Sequence, residues 1–295
     1  MPNSSKHHRR LALAGYAFVA PGMILLTLLW FVPVLGALYL SFTKYAIVTP
    51  PQWIGLANYK RLLSDELFLK AILNTAYYAL GTIPVGMIIA LILAVALNRN
   101  LRLAGFFRLS YYLPVITSMV AVSMIWLWIY NPEYGILNFL LGKIGISPKL
   151  WLAHPKWAMP SIIAMSIWKG VGKNMMLYLA GLQGIPDQLY DAAKVDGATG
   201  WKTFRHITWP LLLPTTFFIL VVSTIGSFQV FEQVYIMTQG GPLNSTTTVV
   251  HQIYQSAFQF FKMGYASAQA FALFVLIFAL SWVNNRFFGG TVDYS

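Results

Sequence analysis

The chain has 295 residues, of which 58% are hydrophobic and only 9% charged, and its mean hydropathy is +0.63, which excludes a soluble globular protein. Its formal charge of +12 does not indicate nucleic acid, because the basic residues sit at membrane flanks and form no dense run. With no cysteine, disulfide and thiol chemistry are excluded as well.

Six stretches have the roughly 20 residues needed to cross a hydrocarbon core: Leu11 to Ser41, Ala71 to Leu97, Leu109 to Tyr130, Ala158 to Leu182, Leu211 to Tyr235 and Gly264 to Asn285. The chain therefore reads as an all-α membrane protein with six transmembrane helices. An even number of spans puts both termini on one side. Arg9, Arg10, Arg99, Arg102, Arg108, Arg205 and Arg286 fall on that side and only Arg61 opposite, which makes the termini cytoplasmic by the positive-inside rule. Lysines divide less cleanly, with Lys44, Lys60, Lys70, Lys143, Lys149, Lys156 and Lys262 opposite.

The first run outlasts the about 7 to 15 residues of a signal sequence and contains Pro21 and Pro33, so it reads as a kinked anchor helix. After it, the segment WIGLANYKRLLSDELFLKAILNT, Trp53 to Thr75, predicts an amphipathic helix around Leu56 to Leu63. Turns at Asn131-Pro132, Gly142, Gly145 and Ser147-Pro148 divide the segment between the third and fourth spans.

Charge enters the membrane at three places. Lys169 and Lys173 lie four residues apart in the fourth span and so share a helix face, with Gly170 and Gly172 between them, and Glu232 lies in the fifth. With Gln183 and Leu211 as inner edges, a rise of about 1.5 Å per residue puts Lys173 about 15 Å deep, Lys169 about 21 Å and Glu232 about 32 Å. Pairing of Glu232 with Lys169 is therefore expected to be easier than with Lys173. Further polar candidates are Asn174, Tyr178, Ser223, Ser227, Gln229 and Gln233. Aromatic side chains at Trp126, Trp128, Trp168 and Tyr178 could stack on sugar faces, though packing and interfacial anchoring are their commoner roles.

Between those spans, Pro186 and Asp187 favour a helix start and Gly197 a break. Leu189, Tyr190 and Ala193 share one face of that short helix. Thr199 is expected to cap a second helix, Gly200 to Thr208, which Pro210 should close. Helix, glycine turn and helix make a protruding knob. After the fifth span, Thr238-Gln239-Gly240-Gly241-Pro242 ends a helix abruptly.

The sequence DAAKVDGATGWKTFRHITWPLLLP, Asp191 to Pro214, has an acidic residue, two alanines, Gly197 after three more residues, Ile207 after nine more, and then Pro210. It resembles the EAA loop of permease subunits in binding-protein-dependent ABC importers, with Asp191 in place of the usual glutamate and Trp209 in place of leucine. Trp53 to Thr75 and the Gly240-Gly241-Pro242 element are similar to features of the carbohydrate-type subfamily. The resemblance implies a type I ABC importer permease fold, a single transmembrane permease domain over residues 1 to 295, and a cytoplasmic docking loop at residues 183 to 210. It implies ATPase docking through Tyr190, Asp191, Ala192, Ala193, Asp196, Gly197 and Phe204.

The resemblance also implies an inner-membrane, multi-pass subunit paired with a second permease, two ABC ATPase subunits and an extracytoplasmic solute-binding protein, with membrane lipid around it. The solute would be a sugar, oligosaccharide or polyol. The subunit would be no enzyme and need no cofactor, ATP-Mg being bound by the ATPases. Solute contacts carried over from sugar-transporting relatives fall at Lys169, Gly170, Lys173, Ser223, Ser227 and Val230. Asn174 and Glu232 join the path on their intramembrane polarity. The lysines depart from the neutral residues expected for a plain sugar and leave room for an anionic one.

Gly197 to Thr203 is no phosphate-binding loop, because tryptophan takes a required glycine's place. An ion-coupled secondary carrier would use Glu232 with Lys169 or Lys173 as its relay, but such carriers commonly show internal repeats, and none is visible between the halves. The five histidines lie near loops or membrane edges and suggest no metal site.

Overall fold

The computed structural model describes residues 4–98 and 102–288, with side chains at all of these except 4–7, 10, 287 and 288. Arg99 and the side chain of Arg10, both counted above for topology, lie outside the described residues. Contacts divide the chain into two compact units, residues 1–64 with 253–271, and residues 65–252 with 272–295.

In the first unit, α1 (Ser4–Leu26) runs through a π-helical turn, Thr27–Phe31, into α2 (Val32–Ser41). That wide turn lies just before Pro33. Proline has no N–H to give to the preceding turn, and a π turn removes the demand for one. A small antiparallel hairpin follows, β1 (Thr43–Ala46) with β2 (Thr49–Trp53), so the all-α expectation misses one two-stranded element. Then comes α3 (Ala57–Ser64). Its Asn58 is buried and donates through Nδ2 to the carbonyls of Ser41 at 2.8 Å and Thr43 at 2.9 Å. The Tyr59 hydroxyl meets Ser41 Oγ at 2.8 Å. The Gly-Leu-x-Asn-Tyr sequence therefore ties α3 to the chain leaving α2.

The second unit opens with α4 (Glu66–Leu97), whose first turn is capped by Asp65, its carboxylate accepting from the Leu67 and Phe68 amides at 3.0 and 3.1 Å. Two helices follow, α5 (Ala104–Ile116) and α6 (Met119–Ile129), bent by 99° at Thr117-Ser118. The span expected from Leu109 to Tyr130 is thus divided between two helices. Pro114 has no amide for the helix ladder, and Thr117 and Ser118 are extended at ψ 148° and 137°. Next come α7 (Ile136–Lys143), α8 (Pro155–Gln183), α9 (Asp187–Val195) and α10 (Gly200–Thr203). A π turn at Phe204–Thr208 joins α10 to α11 (Trp209–Phe228), followed by α12 (Glu232–Met237) and α13 (Val249–Tyr254). The last helix, α14 (Met263–Phe288), belongs to both units.

Among the described residues, four helical runs are long and apolar enough to cross a membrane, and five if the bent pair counts as one. Helix α8 has the length, 29 residues, but Lys156, Lys169 and Lys173 reduce its apolar character. The fifth run also differs from expectation. It is one helix from Gly200 to Phe228, and it stops before Glu232, which starts α12 instead. Pro210 therefore does not close a helix; the π turn before it absorbs the missing N–H, as at Pro33. Nor does the Thr199 side chain cap α10; its carbonyl accepts from the Thr203 amide and hydroxyl.

The core of this unit lies where α4 and α8 pack together with α11. Ala90 and Ala94 are fully buried one turn apart on α4, opposite Val171, Met175 and Tyr178 of α8 and Leu212 and Ile219 of α11. Small side chains let helices in a membrane approach closely, where lipid offers no hydrophobic drive to hold them together. At the end of α4, Arg108 donates to the Leu97 carbonyl at 3.0 Å.

Candidate functional site

Walls from α4, α8 and α11 enclose a cleft of about 190 Å³. Thr82 and Gly86 come from α4, Ser166, Gly170, Lys173 and Asn174 from α8, and Ser223 and Ser227 from α11. Thr82 Oγ1 and Ser227 Oγ approach to 3.4 Å across it. Turns of about 100° per residue put Ser166, Gly170 and Lys173 on one stripe of α8, and Ser223 and Ser227 one turn apart on α11. The lining sets hydroxyl, amide and ammonium groups among the apolar side chains of Ile83, Ile167, Val171 and Val222, a mixed surface that suits a hydroxylated solute. A larger cavity of about 660 Å³ lies between α4, α11 and α14, but Leu80, Ile88, Leu91, Leu220 and Phe228 make it almost wholly apolar.

Five of the expected path residues meet in the cleft, Gly170, Lys173, Asn174, Ser223 and Ser227, and three do not. Val230 is 4% exposed and belongs to the core around Ile162 and Val234. Glu232 is exposed at the start of α12, beyond the end of α11. Lys169 turns to α5, where its Nζ donates to the carbonyls of Thr117 at 2.8 Å, Pro114 at 2.9 Å and Val115 at 3.5 Å. It makes no ion pair with Glu232, so the pairing that their depths favour is not formed, nor is the relay that a secondary carrier would need. The reason is the break after α5, which frees carbonyls at membrane depth, where an unsatisfied one is costly. Lys169→Met should therefore lower the melting temperature of the detergent-solubilised protein by an amount matching about 1–3 kcal/mol. An unchanged melting curve would show that these carbonyls find other donors.

Of the other polar candidates, Gln233 is buried and donates to the Tyr78 hydroxyl at 3.0 Å and to Ser166 Oγ at 3.4 Å, joining α12 to α4 and α8. Trp126 and Trp168 pack edge to face, 5.6 Å between centroids, and Trp168 keeps 46% of its surface exposed. Trp128 is exposed.

The knob begins at Asp187 and ends in a Schellman turn: Ala198 N–H bonds the Ala193 carbonyl at 2.9 Å and Gly197 N–H the Lys194 carbonyl at 3.1 Å. Gly197 takes φ +69°, the left-handed conformation that this turn requires. Ala193 is buried, and the Tyr190 hydroxyl meets Thr208 Oγ1 at 3.2 Å, fixing α9 to the helix that follows. Asp191, Ala192 and Asp196 are exposed, Asp191 paired with Lys194 at 2.8 Å, and Phe204 is half-buried beneath the Trp201 ring. Val195 at 89% and Trp201 at 69% exposure leave apolar surface uncovered.

Residues 83–289 match the family described as binding-protein-dependent transport system inner membrane component. The chain belongs to that family. It is a multi-pass permease component of the inner membrane. The permease is 37% identical to the sn-glycerol-3-phosphate transport system permease protein UgpA of Agrobacterium fabrum over 95% of its own length and 96% of that protein. It is 37% identical to the lactose transport system permease protein LacF of Rhizobium radiobacter, covering 91% and 92% of the two chains. Among solved structures, it resembles a chain of the bacterial alginate ABC transporter in complex with alginate pentasaccharide-bound periplasmic protein. There the TM-score is 0.85 and identity 27%, over 95% of each chain.

Two motifs that look independent in the sequence of this permease form one structure. Asn74 Nδ2 donates to the Asn244 and Thr247 carbonyls, both at 2.9 Å, Thr75 Oγ1 accepts from the Val249 amide at 3.1 Å, and Lys70 Nζ reaches the Leu243 carbonyl at 2.8 Å. The start of α4 thus holds the Gly240-Gly241-Pro242 loop, a tie that its local helix-stopping residues do not reveal. Buried beside that loop, His251 lies near Phe231 and Tyr235, and burial keeps its pKa below the ordinary value. The unfolded loop then binds the proton more readily than the folded one. Stability is full above the ordinary value of about 6.5 and falls as pH drops through it. Amide exchange across Gly240 to Thr248 should therefore show less protection at about pH 5 than at about pH 7.5, and His251→Gln should flatten the difference.

Proposed function

We propose that this permease is one of two permease subunits of an ATP-driven importer for a sugar, oligosaccharide or polyol-type solute. The importer is completed by two ABC ATPases that bind ATP-Mg and by an extracytoplasmic binding protein. The solutes of its relatives support the solute class: glycerol phosphate, lactose and alginate are all carbohydrates or polyol derivatives. In this reading α8 is the sixth span, its 29 residues reaching about 44 Å, residues 1 to 295 form one transmembrane permease domain of type I, and both termini are cytoplasmic.

The observation that carries the reading is mechanical. The second helix of the exposed knob continues without a break from Gly200 to Phe228, and that helix forms one wall of the cleft. A push on the knob therefore reaches the cleft through a rigid rod. ATP binding would close the ATPase dimer, move the knob and open the cleft outward to take solute; hydrolysis would reverse the tilt. Tagged permease purified in detergent is expected to bring an ATPase and a second permease with it. A stable protein that purifies alone would overturn the proposal.

A further inference from the structure

We infer that Lys173 binds an anionic group on the transported solute, so that the importer carries an acidic sugar with a carboxylate, phosphate or sulfonate; this rests on the cleft being the solute path. The two lysines of α8 have different fates. Lys169 is engaged by the carbonyls at the end of α5. Lys173 lines the cleft, is exposed, and has no hydrogen-bond or ion-pair partner among the described residues. No Asp or Glu lines that cleft.

An ammonium at membrane depth calls for a counter-charge or for water. Counted from the helix end at Gln183, Lys173 lies about 15 Å in, near the middle of a hydrocarbon core of about 30 Å and too deep for its side chain to reach an interface. Around it stand Asn174, Ser166, Ser223, Ser227 and Thr82, neutral groups that exchange hydrogen bonds with hydroxyls. Gly170 has open space above its backbone, so a ring can come close. One unpaired cation among sugar-type hydrogen-bonding groups matches a solute with many hydroxyls and one anion.

The test uses the complete importer in proteoliposomes with three labelled probes: a uronate disaccharide, a hexose phosphate and a neutral disaccharide of similar size. ATP-dependent uptake of one acidic probe is expected, and which probe it is names the anion. Lys173→Met should raise the KM for that probe at least about tenfold, with Lys173→Arg within about threefold of the parent, as for a lost charge-assisted hydrogen bond. The second permease should still co-purify with Lys173→Met. Uptake of the neutral probe alone, or an unchanged KM, would overturn the inference while leaving the importer proposal intact. Loss of the second permease on Lys173→Met would overturn it by reassigning the ammonium to a subunit contact. Absence of any ATPase from the purified parent would instead overturn the importer proposal beneath it.

Discussion

Replacing Gly197 with valine is expected to strip the ATPases from the purified permease without preventing its insertion in the membrane. At φ +69° an L side chain costs about 1–2 kcal/mol, and a β-branched one sits at the upper end. Yet a Cβ at Gly197 meets nothing of its own chain within 4 Å, so the damage to the fold is limited to that strain. Gly197→Asn separates strain from crowding, because asparagine tolerates the left-handed region while still adding bulk. If a partner presses on the turn, both variants lose the ATPase and only the valine variant melts appreciably lower. Retention of the ATPase by the asparagine variant would mean that the glycine serves the turn alone. Failure of either variant to insert would contradict the proposal that this loop is a docking device.

The knob was legible because its determinants are local. Pro186, Asp187 and Gly197 specify a helix start and a left-handed stop without reference to anything distant, and the structure forms both. The continuation was less legible. Pro210 reads locally as a terminator, but the five-residue π turn at Phe204–Thr208 removes the need for its N–H. No composition rule separates that outcome from a break. The third span fails in the opposite sense: its apolar run is continuous, and the break at Thr117-Ser118 is sustained by Lys169, whose donation from another helix is a long-range fact.

The cleft shows the same division. Sharing of a face by Lys169 and Lys173 follows from their spacing, but a four-residue step still turns the helix by about 40°. That is enough to put Lys169 beside α5 and Lys173 in the cleft. Ser223 and Ser227 were legible as a pair, whereas the burial of Val230 and the start of a new helix at Glu232 were not, because both depend on α11 stopping at Phe228. The pairing of Asn74 and Thr75 with the Gly240-Gly241-Pro242 loop spans about 170 residues and left no local trace.

Adding a single methyl group at Gly172 is expected to break the contact between α5 and α8. Its Cβ would fall on the backbone carbonyl of Tyr111, with Tyr112 Cα at 3.2 Å, so no side-chain rotation relieves the clash and α5 itself must move. Overpacking costs about 1–3 kcal/mol where side chains adjust, and a backbone obstacle puts Gly172→Ala at or above that range. Gly170→Ala, two residues away, is the control: nothing lies within 4 Å, and alanine favours a helix over glycine by up to about 1 kcal/mol. The melting temperature in detergent should therefore fall for Gly172→Ala and hold or rise for Gly170→Ala. Gly172 and Lys169 are one turn apart and meet the same helix, so Gly172→Ala combined with Lys169→Met should cost less than the sum of the two alone, since displacing α5 already removes the carbonyls that Lys169 serves. Strict additivity, or equal melting temperatures for the two glycine variants, would mean that α5 does not press on α8 at Tyr111.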